Sequence, residues 1–320
     1  CDLYEGEQLM TTATICILAT VVLYLVMTIA IGAYFSRQNK STDDFYLGGR
    51  RLGPLVTAMS AEASDMSSWL LLGLPGLALA TGLAEATWTG IGLVIGTYLN
   101  WLFVAKRLRV YTQKLGAVTL PDFFAKRFGD DKHILTLISG LFIVIFFVPY
   151  TASGFAACGK LFSSMFGMDY VVAMIMSAAV IVLYCTLGGF LAASTTDFIQ
   201  SIVMTIALLV VLGFTEGIVN GFDNVFANVK GLDGYLDIFK GHMIEDGSVG
   251  SYGALPIAST LAWGLGYFGM PHILVRFMSI KKASMIKTSS TVAIVWVVLS
   301  LGAAIAFAIL GRAFDPTRVL

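Results

Sequence analysis

The sequence predicts an all-α membrane protein organised as an inverted five-helix repeat with one extra helix at its start. Of its 320 residues, 57% are hydrophobic and 12% charged, against about 45–50% and 25% in a soluble domain. A mean hydropathy of +0.83 demands long apolar runs facing lipid, because a single buried core cannot supply it. Two of those runs are interrupted in their middles by Gly, Pro and polar residues, and the interruptions lie five spans apart.

A helix needs roughly 20 apolar residues to cross the hydrocarbon. Eight stretches qualify, near 13–35, 54–80, 83–105, 134–164, 169–188, 190–219, 254–279 and 286–312. The chain 1–320 then reads as one transmembrane domain. In it 13–35 is the extra helix, 54–219 the first repeat and 254–312 the start of a second, incomplete one. The first run has no basic flank, so it is expected to be a span rather than a cleaved signal. The connectors 81–82 and 188–189 leave room only for tight turns. Residues 106–133 contain an amphipathic stretch at Leu120–Phe128, and 220–253 read as a polar Gly/Asp-rich surface loop.

Orientation follows from the basic residues. Loops 37–51, 106–132 and 276–287 carry fifteen of the 20 Lys and Arg, and the opposite side carries five. The richer side is expected to be cytoplasmic, which puts the N-terminus outside a plasma membrane. A net charge of zero gives nucleic acid no electrostatic footing. Cys1, Cys16, Cys158 and Cys185 form no CxxC pattern, and His133, His242 and His272 are scattered, so free thiols and no local metal motif are expected. No phosphate-binding GxxxxGK[ST] loop occurs. No nucleophile–base pattern is visible either, so the chain does not read as an enzyme.

The second span runs Ala61-Glu62-Ala63-Ser64-Asp65-Met66-Ser67-Ser68-Trp69 and then meets Gly73, Pro75 and Gly76; the seventh runs Trp263-Gly264-Leu265-Gly266-Tyr267-Phe268-Gly269-Met270-Pro271-His272. Gly and Pro weaken helices, and an unmade backbone hydrogen bond in lipid costs several kcal/mol. Broken backbone at that depth survives where it lines a cavity or is buried in protein, and paired breaks mark a transporter's binding site. Glu62 and Asp65, at i and i+3, are expensive inside an apolar span, so a cation is the natural compensation. Asp65 also reads as a cap on the restarted half-helix, and the two readings are compatible. Asp197, after Ser194-Thr195-Thr196, reads first as an N-terminal cap of the sixth span. Tyr150, Trp263, Tyr267 and Phe268 could face a small ring, with hydroxyls to orient a carboxylate.

These segments resemble the sodium:solute symporter family, and within it the branch that carries proline. Asp43-Asp44-Phe45-Tyr46-Leu47-Gly48-Gly49-Arg50, the two broken stretches, Gly73-Leu74-Pro75-Gly76, Thr119-Leu120-Pro121-Asp122-Phe123-Phe124, Gly188-Gly189-Phe190-Leu191-Ala192 and Arg276-Phe277-Met278 carry the likeness. The resemblance implies a leucine-transporter-like fold and sodium as coupling ion with no other cofactor. It also implies a cation site using the carbonyls of Ala63 and Met66 beside Asp65. Ser67, Ser68, Trp69, Tyr150, Trp263, Tyr267 and Pro271 would stand on the solute side, and Arg50, Glu62 and Asp197 would serve coupling or gating. Glu62 and Ser68 depart from the family pattern, where a small residue and Gly are usual. Another small carboxylate such as pantothenate, or a transporter-like sensor domain, stays open beside proline. Protons as coupling ion stay open beside sodium.

Overall fold

The computed structural model describes residues 12–218, 229, 231–242 and 248–314. They fold almost entirely as helix, in two compact units, 1–48 with 142–196 and 49–141 with 197–320. Helices α1 (Thr12–Ser36), α2 (Thr42–Leu47), α3 (Pro54–Ser68), α4 (Leu74–Thr81), α5 (Leu83–Asn100), α6 (Lys106–Lys114), α7 (Leu120–Phe128), α8 (Ile134–Phe166) and α9 (Tyr170–Ile218) come first. A short antiparallel hairpin, β1 (Lys240–His242) and β2 (Val249–Ser251), precedes α10 (Ala254–Leu261), α11 (Pro271–Ser279) and α12 (Ile286–Phe314). Cys1 and the loop positions 219–228, 230 and 243–247 lie outside the described residues. Cys16, Cys158 and Cys185 form no disulfide.

Among the described residues, five helical stretches are long and apolar enough to cross a membrane, 14–36, 83–114, 134–166, 170–214 and 283–313. The eight expected spans reconcile with these five for a physical reason. The 170–214 stretch contains two spans joined at Gly189, whose φ of 60° and ψ of −154° stop the helix. The spans at 54–80 and 254–279 are cut into pieces too short to count alone, α3 and α4 in one case, α10 and α11 in the other.

In the first unit, Ser41 caps α2 by accepting from the Asp44 N–H at 3.1 Å, and Gly48 closes it in the left-handed region at φ 60°. Gly32 lies so close to Tyr184 that an added Cβ would come within 2.9 Å of its carbonyl oxygen. Pro149 sits inside α8.

The second unit is built around α3 and α5. Proline at the start of α3 and of α11 suits a first helical turn, where its missing N–H would have no partner anyway. Gly92 and Gly96 let α5 touch the 3₁₀ segment Ala262–Phe268 backbone to backbone, and a Cβ on Gly92 would come within 2.7 Å of Leu261. Part of the 220–253 loop is not merely surface. Tyr235 is fully buried, its carbonyl accepts the Leu83 N–H at 2.8 Å, and it presses on the α4–α5 turn at Gly82, φ 81°. Burial pushes the Tyr235 phenol up to about 12, with the Arg312 charge pulling the other way.

The contact between α5 and the 3₁₀ segment gives the first prediction. A methyl on Gly264 would run into the Gly92 carbonyl. Gly264→Ala should cost about 1–3 kcal/mol, the usual penalty of overpacking. It is read as a lower unfolding temperature of the detergent-solubilised protein, whereas Gly302→Ala, which meets open space inside α12, should hold or raise it.

Candidate functional site

The break in α3 falls at Ser67, whose φ of 43° and ψ of −157° are rare for a residue with a Cβ. A π-helical turn, Trp69–Gly73, follows before α4 begins. The strain is held by local contacts. The Trp69 N–H donates to the Met66 carbonyl and to Ser67 Oγ, the latter at 3.4 Å. The Trp69 ring lies over Gly73, where an added Cβ would come within 2.5 Å of it. The second break is softer. The 3₁₀ segment ends at Phe268, Met270 turns extended at ψ 109°, and Pro271 restarts the helix as α11.

The two breaks meet. The rings of Trp69 and Trp263 stand 5.6 Å apart at 34°. Ser67 and Ser68 are exposed beside Trp69, and Trp263 is 55% exposed. Tyr267, on the same 3₁₀ segment, turns inward instead and is 2% exposed. Its hydroxyl neighbours Asp65 and Thr97. Pro271 is half-buried at the head of α11. Tyr150 belongs to the first unit, where its ring packs on Phe147 at 5.5 Å.

Around α3 the polar side chains sort into two groups. On one side Asp197 Oδ2 accepts from Ser60 Oγ at 2.8 Å, Ser64 Oγ at 3.0 Å and Arg276 Nη2 at 2.7 Å. Arg276 Nε also donates to Ser60 Oγ at 2.7 Å, and its Nη1 to the His272 carbonyl. Asp197 is therefore not the cap of the sixth span. It sits inside the helix that runs on from Gly189, and ties that helix to α3 and α11. On the other side, Glu62 is 2% exposed and accepts from Trp101 Nε1 at 3.0 Å.

Arg50, itself at φ 52°, donates to the Met278 carbonyl at 2.8 Å, the Ala117 carbonyl at 2.7 Å, and Thr112 Oγ1 at 3.2 Å. Sequence reasoning missed its companion. Arg109 donates to the Ile280 carbonyl at 2.6 Å and the Lys281 carbonyl at 3.2 Å. Together the two guanidinium groups satisfy carbonyls where α6 and α11 end, the task left over at every helix C-terminus. The role of Arg276 was also missed, since it was read only as a basic loop residue and as part of a family-like segment. The signal for both was an arginine set inside or beside an apolar span, where an unpaired charge is too costly to keep.

Residues 45–315 match the sodium:solute symporter family. The chain belongs to that family. It is 44% identical over 299 residues to the sodium/proline symporter of Staphylococcus aureus strain JH9, and equally so to that of strain NCTC 8325 / PS 47. The matched stretch is 92% of this chain and 56% of theirs, so the chain spans about half the length of the curated relatives it matches. Its fold superposes on a substrate-bound, outward-open Na+-coupled sialic acid symporter with a TM-score of 0.77 and 17% identity, over 94% of this chain and 63% of that one. The fold is thus the leucine-transporter-like one that the paired breaks announce.

The Asp197–Arg276 pair supplies the second prediction. Removing either partner leaves the other charge buried, at about 3–5 kcal/mol. Asp197→Asn and Arg276→Gln should each destabilise the protein strongly, and the double variant should lose less than the sum by roughly 0.5–3 kcal/mol. Denaturant unfolding in detergent measures the cycle, and strictly additive losses would show that the pair is not coupled.

Proposed function

We propose that this protein acts as a sodium-coupled symporter of a small organic solute, and that the solute is L-proline. The observation that carries the reading is the meeting of two broken helices at Trp69 and Trp263. Breaks at corresponding places in two repeats form the midplane sites of secondary transporters, because they free carbonyls for cations and amides for anions. The proline name comes from the Staphylococcus aureus relatives and supports the finer assignment.

In this reading sodium binds at the broken end of α3, through the carbonyls of Ala63 and Met66 with Asp65 beside them. The Met66 carbonyl already accepts from Trp69 and keeps a second lone pair for an ion. Proline is a zwitterion on a pyrrolidine ring. Its apolar ring and its cationic nitrogen both suit the indole faces of Trp69 and Trp263, and the hydroxyls of Ser67 and Ser68 can donate to its carboxylate. Pro271 starts α11 close to the second break and brings an apolar ring to the solute side, with no N–H to donate. Tyr267 steadies the ion side through Asp65. Tyr150 is carried as a solute residue on the resemblance alone.

Sodium raises the affinity for proline by organising α3, and proline must raise the affinity for sodium by the same factor. Glu62, Asp197 and Arg50 govern the transition, Asp197 by holding α3 to α11 and Arg50 by holding the ends of α6 and α11. The basic loops place those ends in the cytoplasm of a plasma-membrane protein whose N-terminus is outside.

The test is uptake of labelled proline in cells making the full-length protein, with and without a sodium gradient. Wild type should accumulate proline only with sodium, and Asp65→Asn should lose at least 90% of that uptake at equal surface expression. Sodium-independent uptake would overturn the coupling, and good expression without proline uptake would overturn the solute.

A further inference from the structure

Asp65 has neighbours that the sodium site at the break does not use. Glu62 lies one turn before it on α3, and Thr97 stands on α5 against Glu62. The Tyr267 hydroxyl neighbours Asp65 and Thr97, and the charge of Glu62 acts on it. Glu62, Thr97 and Tyr267 are 2%, 3% and 2% exposed. Thr97 Oγ1 and the Tyr267 hydroxyl close no hydrogen bond of ordinary geometry with any partner. One residue group on, Asn100 is 1% exposed, gives its Nδ2 to the Tyr267 carbonyl at 2.9 Å and leaves its Oδ1 without a partner. Among the described residues neither Glu62 nor Asp65 is paired with a lysine or arginine.

Two carboxylates a helical turn apart, facing buried hydroxyls that close no hydrogen bond of ordinary geometry, are a poor end state for a protein interior. Trp101 contributes one hydrogen bond to Glu62 and no charge. The arrangement has the chemistry of an alkali-ion site. All the donors are hard oxygens, carboxylate and hydroxyl, and they converge from three elements, α3, α5 and the 3₁₀ segment. A proton would fit less well. It would neutralise one carboxylate, reach one acceptor, and leave the other charge and at least one hydroxyl as they are.

We propose that Glu62, Thr97 and Tyr267, closed by Asp65, form a second sodium site, built from side chains within the unbroken part of α3 and distinct from the backbone site at Ser67. Asp65 adjoins both, so filling one site changes the field in the other. The inference rests on the symport reading only for the choice of ion.

The experiment is saturation binding of ²²Na⁺ to the purified full-length protein without any solute, so that a failure of the proline assignment leaves it readable. Glu62→Gln keeps an oxygen for Trp101, and Thr97→Val keeps the side-chain shape. Wild type should bind one sodium ion more per protein than either variant, and quenching of Trp101 emission should follow that extra ion. Equal stoichiometry in all three proteins would overturn the site. So would an unchanged sodium count in Glu62→Gln accompanied by loss of a titrating proton, which would make Glu62 a proton carrier. Tyr267→Phe gives an independent arm, and should weaken the same ion at least fivefold while the remaining ion binds as before.

Discussion

A backbone amide inside a membrane has no water to fall back on. The architecture of this chain is set by the few places where that restriction is broken and by what covers each breach. Ser67 interrupts α3 with a dihedral pair that costs of order 1–3 kcal/mol. The interruption persists because the chain on either side of it is held. Trp69 returns its N–H to Met66 and lays its ring over Gly73. The 3₁₀ segment opposite is clasped to α5 through glycines and through Asn100. Two weak helices therefore survive side by side because strong ones flank them.

Arginine does much of the remaining work. Arg50 and Arg109 fill the carbonyls at the ends of α6 and α11, and Arg276 neutralises Asp197. A guanidinium is suited to this because it presents five donors in a fixed fork and stays charged when buried. Each of these arginines joins elements that are distant in sequence, and each would have to release its partners for those elements to separate. In the proposed symport cycle they would serve as latches between those elements.

Much of this was legible in the sequence. Gly and Pro at 264–271 marked the second break, and the polar run 64–68 with Gly73 close after it marked the first, because those residues act on the backbone locally. The tight turn at Gly189 and the amphipathic helix Leu120–Phe128 could be read for the same reason. What could not be read was pairing at long range. Asp197 looked like a cap because its neighbours Ser194, Thr195 and Thr196 are capping residues. Its real partners sit 137 and 79 positions away. The inward turn of Tyr267, while Trp263 four residues earlier faces out, depends on 3₁₀ rather than α periodicity. Tyr235 read as part of a polar loop, and nothing local shows that the α4–α5 turn buries it.

These long-range pairings give α3 an asymmetry that bears on mechanism. At 3.6 residues per turn, Ser60 and Ser64 share one face, and Glu62 and Asp65 share another roughly 150° away. The first face is finished in the protein's own terms, since Arg276 balances Asp197 and the serines complete the network. The second face carries up to two negative charges and, among the described residues, no salt-bridged counter-charge. With the proposed sodium ion as the only balance on that second side, the position of α3 would depend on ion occupancy. It shifts, however, only to the extent that the ion binds one position more tightly than the other. The same helix carries the break at which solute would bind. Placing the uncompensated charge two to five residues before that break is therefore, in the proposed mechanism, a short route by which an ion gradient would do work on a solute site.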